Sequence, residues 1–379
     1  MPILEQLNIR LSGRLVVCSG EPPRGSSYES LFTKTPASYR QIVLQNRWLN
    51  GDRLHFQHYA EALSSPKESI VVLAEESPRS VSLPLLLRKA SNRGFPTILW
   101  GHFSSNNRPL GSTDIRDRYR IRMAKNAGAL VTYTAEIAEQ LSRVVTPEKV
   151  FVAQNTLDTK TLFRFQRELD AEGRAAVRGR LGLPEGLVLL FLGRLIREKG
   201  TALLVDTIRA LGRPDTLLLV IGDGPERELI CDEAGKAGVE TRFLGAIPDF
   251  EKSSPYIYAS DVLLNPGYVG LSVIHAFALG VPVVAPMPPD ASRFHSPEWS
   301  HIRTRINGVL ATDSSARSLA QAVSEILADQ TTYSANARDY ALEHLSVDQM
   351  LDGLEAAIRY VSTPSSGDSP TGQNPNRDV

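Results

Sequence analysis

The sequence predicts an α/β protein of two Rossmann-like, doubly wound domains facing a central cleft. Three observations carry this expectation. Short apolar runs alternate with segments long enough for helices, the pattern of parallel strands joined by helical crossovers. Loops bearing glycine, proline and polar residues follow those runs, at the edge where such sheets bind ligands. A length of 379 residues, 42% hydrophobic and 22% charged, suits two globular domains of about 150–200 residues each.

Residues 15–18 (LVVC) read as a short buried strand, and SGEPPRGSS after it as a cleft loop carrying Gly20 and Gly25. Further strands are expected at 53–56, 69–74, 97–100, 129–132 and 150–153. WGHF sets His102 at the carboxyl edge of one of them. Residues 114–125, DIRDRYRIRMAK, predict a helix with Arg116 and Arg120, and Arg118 and Arg122, one turn apart. Asn155 closes the strand FVAQ. About thirty charged, helical residues poor in core side chains should then lead to a domain junction at LPEG, 183–186. The second domain opens with a strand at 187–192 and the loop GRLIREKG, with a helix starting near Gly200. Strands at 217–221 and 241–244 end in GDGPERE and GAIP. In DVLLNPGYVGLSVIHAFALGVPVVA a strand at 261–265 breaks at Pro266-Gly267, and Gly270 lets backbone approach a ligand before a helix at 271–279. Gly280 caps that helix and VPVVA begins the next strand.

Net charge is zero but unevenly spread. Residues 1–180 hold 26 Lys and Arg against 17 Asp and Glu, a surplus of nine, and residues 181–379 hold 16 against 25, a deficit of nine. The first half should prefer anionic partners, and the basic helix suits an anionic lipid surface better than nucleic acid, for which aromatic interleaving is missing. Cys18 and Cys231 fall in different domains, so neither a disulfide framework nor a zinc site is expected, and no metal site is predicted. No apolar run approaches the roughly 20 residues of a membrane span, and the N-terminus lacks a signal-peptide layout. The expected setting is cytoplasmic, with a peripheral seat on the inner membrane face.

The loop 193–200 carries the chemistry. Gly193 allows a tight turn, and Arg194 and Lys199 place two cations before the next helix. A guanidinium fork and a point charge suit a diphosphate better than a carboxylate. GRLIREKG, IGDGPERE, FLGAIPD and YASDVLLNPGYVGLSVIHAFALGVPVVA stand in the order seen in family-four glycosyltransferases of the GT-B fold, which this sequence resembles. WGHF, LVTYTAEIAEQL and VFVAQNTLD look like the variants of bacterial members that build polysaccharides. The likeness is strongest over 187–310, looser over 95–160, and absent beyond 362, where a disordered tail is expected.

The resemblance implies retaining sugar transfer from a nucleotide-sugar donor, UDP- or GDP-linked, without metal or other cofactor, and the basic first half with its helix points to a lipid-linked saccharide as acceptor. Residues 1–180 would bind the acceptor and 181–345 the donor, with a helix over 346–362 crossing back to the first domain. Arg194 and Lys199 would hold the diphosphate as it leaves, and Gly193 and Gly222 would line its loops. Gly270 and Leu271 would offer amides, Ala246 and Ile247 would border the base, and His102 would reach to the donor sugar. The family usually carries two glutamates eight positions apart, where this chain has Gly267 and His275. A neutral His275 could accept from ribose hydroxyls, while Gly267 has no substitute. Two rivals stay open: a nucleotide-sugar epimerase of the same fold, and an inactive nucleotide-sugar binder. A nicotinamide-dependent oxidoreductase is disfavoured, because no G-x-G-x-x-G turn follows a strand.

Overall fold

The computed structural model describes residues 2–22, 37–60, 62–64, 70–103, 114–287 and 296–363. Gly25 and the expected tail beyond Thr363 lie outside the described residues.

The chain begins with α1 (Pro2–Arg10), β1 (Val16–Gly20), β2 (Arg40–Leu44), β3 (Asn46–Leu49), β4 (Leu54–Gln57) and β5 (Val72–Glu75). There follow α2 (Leu83–Asn92), β6 (Thr97–Gly101), α3 (Ile115–Asn126), β7 (Ala129–Thr132), α4 (Ala135–Ser142) and β8 (Val150–Val152). Strands β5 to β8 form a parallel sheet in sequential order. Because successive side chains of a strand face opposite ways, Leu99 and Leu130 pack under Leu86, Met123 and Leu141 of α2, α3 and α4. Their neighbours Ile98, Ala129 and Val131 meet Leu7 of α1 on the other face.

Two expectations for this half are corrected. The run 15–18 forms β1, but it is half-exposed rather than buried and pairs with β2 in a separate two-stranded parallel sheet. The run 53–56 forms β4, which pairs antiparallel with β3 instead of joining the main sheet. The cause is local: Asn50, Gly51 and Asp52 all take left-handed φ angles, 53°, 59° and 61°, and fold the chain into a hairpin.

The second sheet follows α5 (Thr159–Glu172) and α6 (Arg174–Leu181). It comprises β9 (Val188–Leu192), α7 (Leu203–Leu211), β10 (Leu217–Ile221), α8 (Arg227–Ala237), β11 (Glu240–Phe243), α9 (Phe250–Tyr258) and β12 (Val262–Leu264). After these come α10 (Ser272–Ala278), β13 (Val283–Pro286), β14 (Gly308–Ala311), α11 (Ala316–Ala328), α12 (Gln330–His344) and α13 (Val347–Ser362). Its six parallel strands stand in the order β11-β10-β9-β12-β13-β14. The chain winds outward from β9, then returns to the other side of β9, so a crevice opens between the ends of β9 and β12.

Helices α5 and α6 are not poor in core residues. Leu162, Phe163, Leu169 and Val177 are buried in the core of the second sheet with Ile257, Ile274 and Phe277. Abundant charge on their outer faces hid an apolar stripe at helical spacing. Asp261, 8% exposed at the head of β12, anchors this layer. Its carboxylate accepts from Arg174 (3.0 Å), Arg178 (2.7 Å), the Val188 amide (2.7 Å) and Gln330 (2.9 Å).

Helix α13 returns to the first sheet, where Met350, Leu351 and Leu354 pack with Ile98 and Val131. Gly353 permits the close approach, since a Cβ there would lie 2.1 Å from the Val152 carbonyl oxygen. At the crossing, Thr156 Oγ1 donates to the Leu345 carbonyl (2.6 Å) and the Val347 amide donates to Thr159 Oγ1 (3.1 Å).

Candidate active site

The loops after β9 and β12 are fastened to each other at the crevice. Residues Arg197–Lys199 make one 3-10 turn, Gly200 is left-handed (φ 66°), and α7 starts at Leu203, three residues later than expected. The turn directs Lys199 across to the neighbouring loop. Its Nζ donates to the Tyr268 carbonyl (2.7 Å) and lies 5.0 Å from the centre of the Tyr268 ring, while the Tyr268 amide donates to the Glu198 carbonyl (2.8 Å). Gly267 lies flat on this backbone. A Cβ there would fall 2.3 Å from the Lys199 carbonyl carbon and 2.5 Å from the Gly200 nitrogen, so no side chain fits.

A cleft of about 830 Å³ opens above, lined by Gly193, Arg194, Lys199, Tyr268, Leu271 and His275 among others. Burial first, and then the like charge of Arg194, push the Lys199 ammonium down to about 8, against the opposite pull of the Glu298 carboxylate. Two mutually repelling cations in a partly desolvated cleft are relieved when a multivalent anion enters. His275 is neutral near pH 7, since burial lowers its pKa to about 4. Its ring meets Phe250 edge-on at 4.8 Å, and its buried Nδ1 has no hydrogen-bond partner among the described residues. Helix α10 has seven residues, fewer than expected, which limits what its dipole can add.

His102 and Asn155 of the first half approach Glu298, but neither lines the cleft. His102 follows β6, its ring 4.6 Å from that of Tyr133, and desolvation by its neighbours lowers its pKa although Glu298 opposes this. Glu298, 2% exposed, sits on the 3-10 turn Pro297–His301. It accepts from Asn155 Nδ2 (2.7 Å) of the first half and from Ser296 Oγ.

The expected site residues therefore separate into groups. Gly193, Arg194, Lys199, Leu271 and His275 share the cleft. Gly270 borders it, since a Cβ there would lie 3.5 Å from Lys199 Nζ. Gly222 stands behind, packed on the Gly193 carbonyl. Ala246 is exposed and Ile247 packs on the core of the second sheet, so neither lines the cleft. Gly20 packs against the Asn46 side chain within β1 and does not line it either. In the basic helix, Arg120 is buried in ion pairs with Glu76 (3.3 Å) and Asp117 (3.1 Å), so it leaves the surface cluster. Arg116, Arg118, Arg122 and Lys125 stay exposed. Sequence reasoning missed Glu298 and Tyr268. Tyr268 lay inside the quoted motif, whereas Glu298 carries no local signal.

Residues 186–329 match the family described as group 1 glycosyl transferases. Over those residues, under half of the chain, the sequence is similar to that family. Similar proteins include the 2-deoxystreptamine glucosyltransferase of Streptomyces kanamyceticus, 37% identical over 119 residues, which are 29% of this chain and 30% of that protein. Another is the GDP-mannose-dependent alpha-(1-6)-phosphatidylinositol monomannoside mannosyltransferase of Mycolicibacterium smegmatis, 35% identical over 130 residues, 31% of this chain and 34% of that one. The chain thus spans about a third of the length of these curated relatives. Among solved structures, Anabaena HepE in complex with UDP and glucose superposes with a TM-score of 0.65 at 16% identity, covering 94% of this chain and 95% of that one. Sucrose-phosphate synthase from Thermosynechococcus elongatus gives 0.61 at 18% identity, covering 95% and 93%. The fold is GT-B. The packing of Gly267 on Lys199 and Gly200 leaves no room for a glutamate at that position: the tight loop contact excludes any side chain.

Proposed function

We propose that the chain is a retaining, metal-independent glycosyltransferase that moves a sugar from a UDP- or GDP-sugar to an acceptor saccharide in bacterial polysaccharide or glycoconjugate synthesis. The observation that carries this reading is the Arg194/Lys199 pair in the crevice between β9 and β12. As the bond from sugar to diphosphate lengthens, negative charge grows on the leaving phosphate, and the two cations stabilise it there without a metal or a protein nucleophile. In this reading Gly193, Gly270 and Leu271 supply close backbone, and a ring nitrogen of His275 accepts from a ribose hydroxyl. His102 reaches the donor sugar from the first half. Residues 1–180 hold the acceptor and 181–345 the donor, with α13 joining them.

Competition among UDP, GDP and ADP, followed by transfer from the matching donor, tests the proposal. Turnover of the donor alone to a second sugar would indicate an epimerase, and binding without turnover an inactive binder. His275→Ala is expected to weaken nucleotide affinity about fivefold to tenfold, the loss of one hydrogen bond. Equal affinity by calorimetric titration would leave His275 a structural residue.

The acceptor is read as lipid-linked, with the enzyme peripheral on the inner membrane face. Arg116, Arg118, Arg122 and Lys125 support this, as does the lipid acceptor in the name of the mycobacterial relative. No described helix is long and apolar enough to cross a membrane. Four such residues give roughly 4 kcal/mol of attraction to anionic lipid, screened over about 8 Å at physiological salt. Co-sedimentation with anionic vesicles is expected at low salt, and should be lost at high salt or when the four are changed to glutamine. Indifference to anionic vesicles at low salt would favour a soluble acceptor.

A further inference from the structure

A nucleotide diphosphate accounts for Arg194 and Lys199 but leaves one buried polar group beside the cleft, outside its lining, without a task. Glu298 is a carboxylate buried to 2% exposure, and among the described residues no cation forms an ion pair with it. Its oxygens accept from Asn155 Nδ2 and Ser296 Oγ. Ser296 Oγ also lies 2.6 Å from the Val269 carbonyl oxygen, yet a hydroxyl has one proton to give. Among the described residues the carboxylate therefore keeps unused acceptor capacity, and burying such a group costs stability unless something offsets it.

Its position defines what could use that capacity. A Cβ built on Gly270 would lie 3.5 Å from Lys199 Nζ and 3.8 Å from Ser296 Oγ, so the space over Gly270 is bounded by the diphosphate-binding lysine and by the hydroxyl that holds Glu298. Charge on Glu298 is felt both by Lys199 in the second half and by His102 in the first. The group attached to the diphosphate would occupy this space, and it would offer hydroxyl donors. No carboxylate can come from position 267, which is closed by backbone.

We propose that Glu298 binds the hydroxyls of the donor sugar, so that this residue rather than the diphosphate site distinguishes a sugar nucleotide from the bare nucleotide. This rests on the glycosyltransferase reading. Hydroxyl protons are the fitting ligand because a pyranose presents neutral donors, which satisfy a carboxylate without adding charge beside two cations.

Calorimetric titrations of the full chain with UDP and UDP-glucose, and with GDP and GDP-mannose, provide the test on wild type, Glu298→Gln and Asn155→Ala. Wild type should bind the sugar nucleotide more tightly than the bare nucleotide of the preferred base. In Glu298→Gln the bare nucleotide should stay within about twofold, while the sugar nucleotide should lose about tenfold, as for one charge-assisted hydrogen bond. Asn155→Ala removes the bond between the halves but keeps the carboxylate, and should retain the preference for the sugar nucleotide. An unchanged preference in Glu298→Gln would overturn the proposal. Equal losses for both ligands would overturn it too, because Glu298 would then act as a structural latch. Wild type that binds neither class of ligand would remove the glycosyltransferase reading and this inference with it.

Discussion

Lys199→Ala should lower kcat/KM by about 100-fold, close to 2.7 kcal/mol, because a charged contact to the leaving diphosphate is lost where water cannot replace it. Arg194→Ala should act similarly in direction. Near-normal transfer by both well-folded variants would rule out the diphosphate site. The pH dependence gives a second readout. With the Lys199 pKa lowered to about 8 by burial and by Arg194, the free protein loses this cation as pH rises through 8, so nucleotide affinity should fall above that pH. Binding of the diphosphate favours the charged amine, and titration near pH 8 in buffers of different ionisation enthalpy should register proton uptake. Lys199→Ala should abolish that uptake. For stability the sign is opposite. The unfolded lysine titrates near 10.5, so between about 8 and 10.5 the unfolded chain binds more protons and this group's contribution rises with pH. The empty site is thus held at a cost that the anion removes.

Asp261→Ala is expected to destabilise the protein by about 3–5 kcal/mol, since it removes the charged partner of two largely buried guanidinium groups, which keep only backbone carbonyls, and the acceptor of the Val188 amide. Urea denaturation followed by circular dichroism measures this. A loss under about 1 kcal/mol would mean that water reaches Arg174 and Arg178 freely enough to replace the carboxylate. Replacing Arg178 with Met in the same variant should recover part of the loss, because one unpaired charge is then gone.

Strands and loops of the second half were readable because parallel strands covered on both faces are continuous apolar runs, as in 188–192 and 217–221. The Arg194/Lys199 loop was readable for the same reason, since its residues are local in sequence. What escaped was set by distant partners. Arg120 has the spacing of an exposed basic face, yet it is claimed by Glu76, 44 residues away. Glu298 is held by Asn155, 143 residues away, and a short 3-10 turn has no periodicity to betray it. The hairpin at 46–57 was missed although Asn50-Gly51 is a turn signal, because the run 53–56 fitted the expected alternation of parallel strands.

The return of α13 has a mechanical consequence. The polypeptide passes between the two sheets twice, near Thr156 and near Leu345, and the bonds from Thr156 to Leu345 and from Val347 to Thr159 hold the passages side by side. Two adjacent pivots resist twisting and sliding while leaving one easy rotation, as on a door hung from a pair of pins. The pair that meets between the leaves, Asn155 on one and Glu298 on the other, would then swing along a single arc and return to the same register at each closure. A chain cut before α13 would lose one pin and bare the apolar face formed by Ile98, Ala129 and Val131.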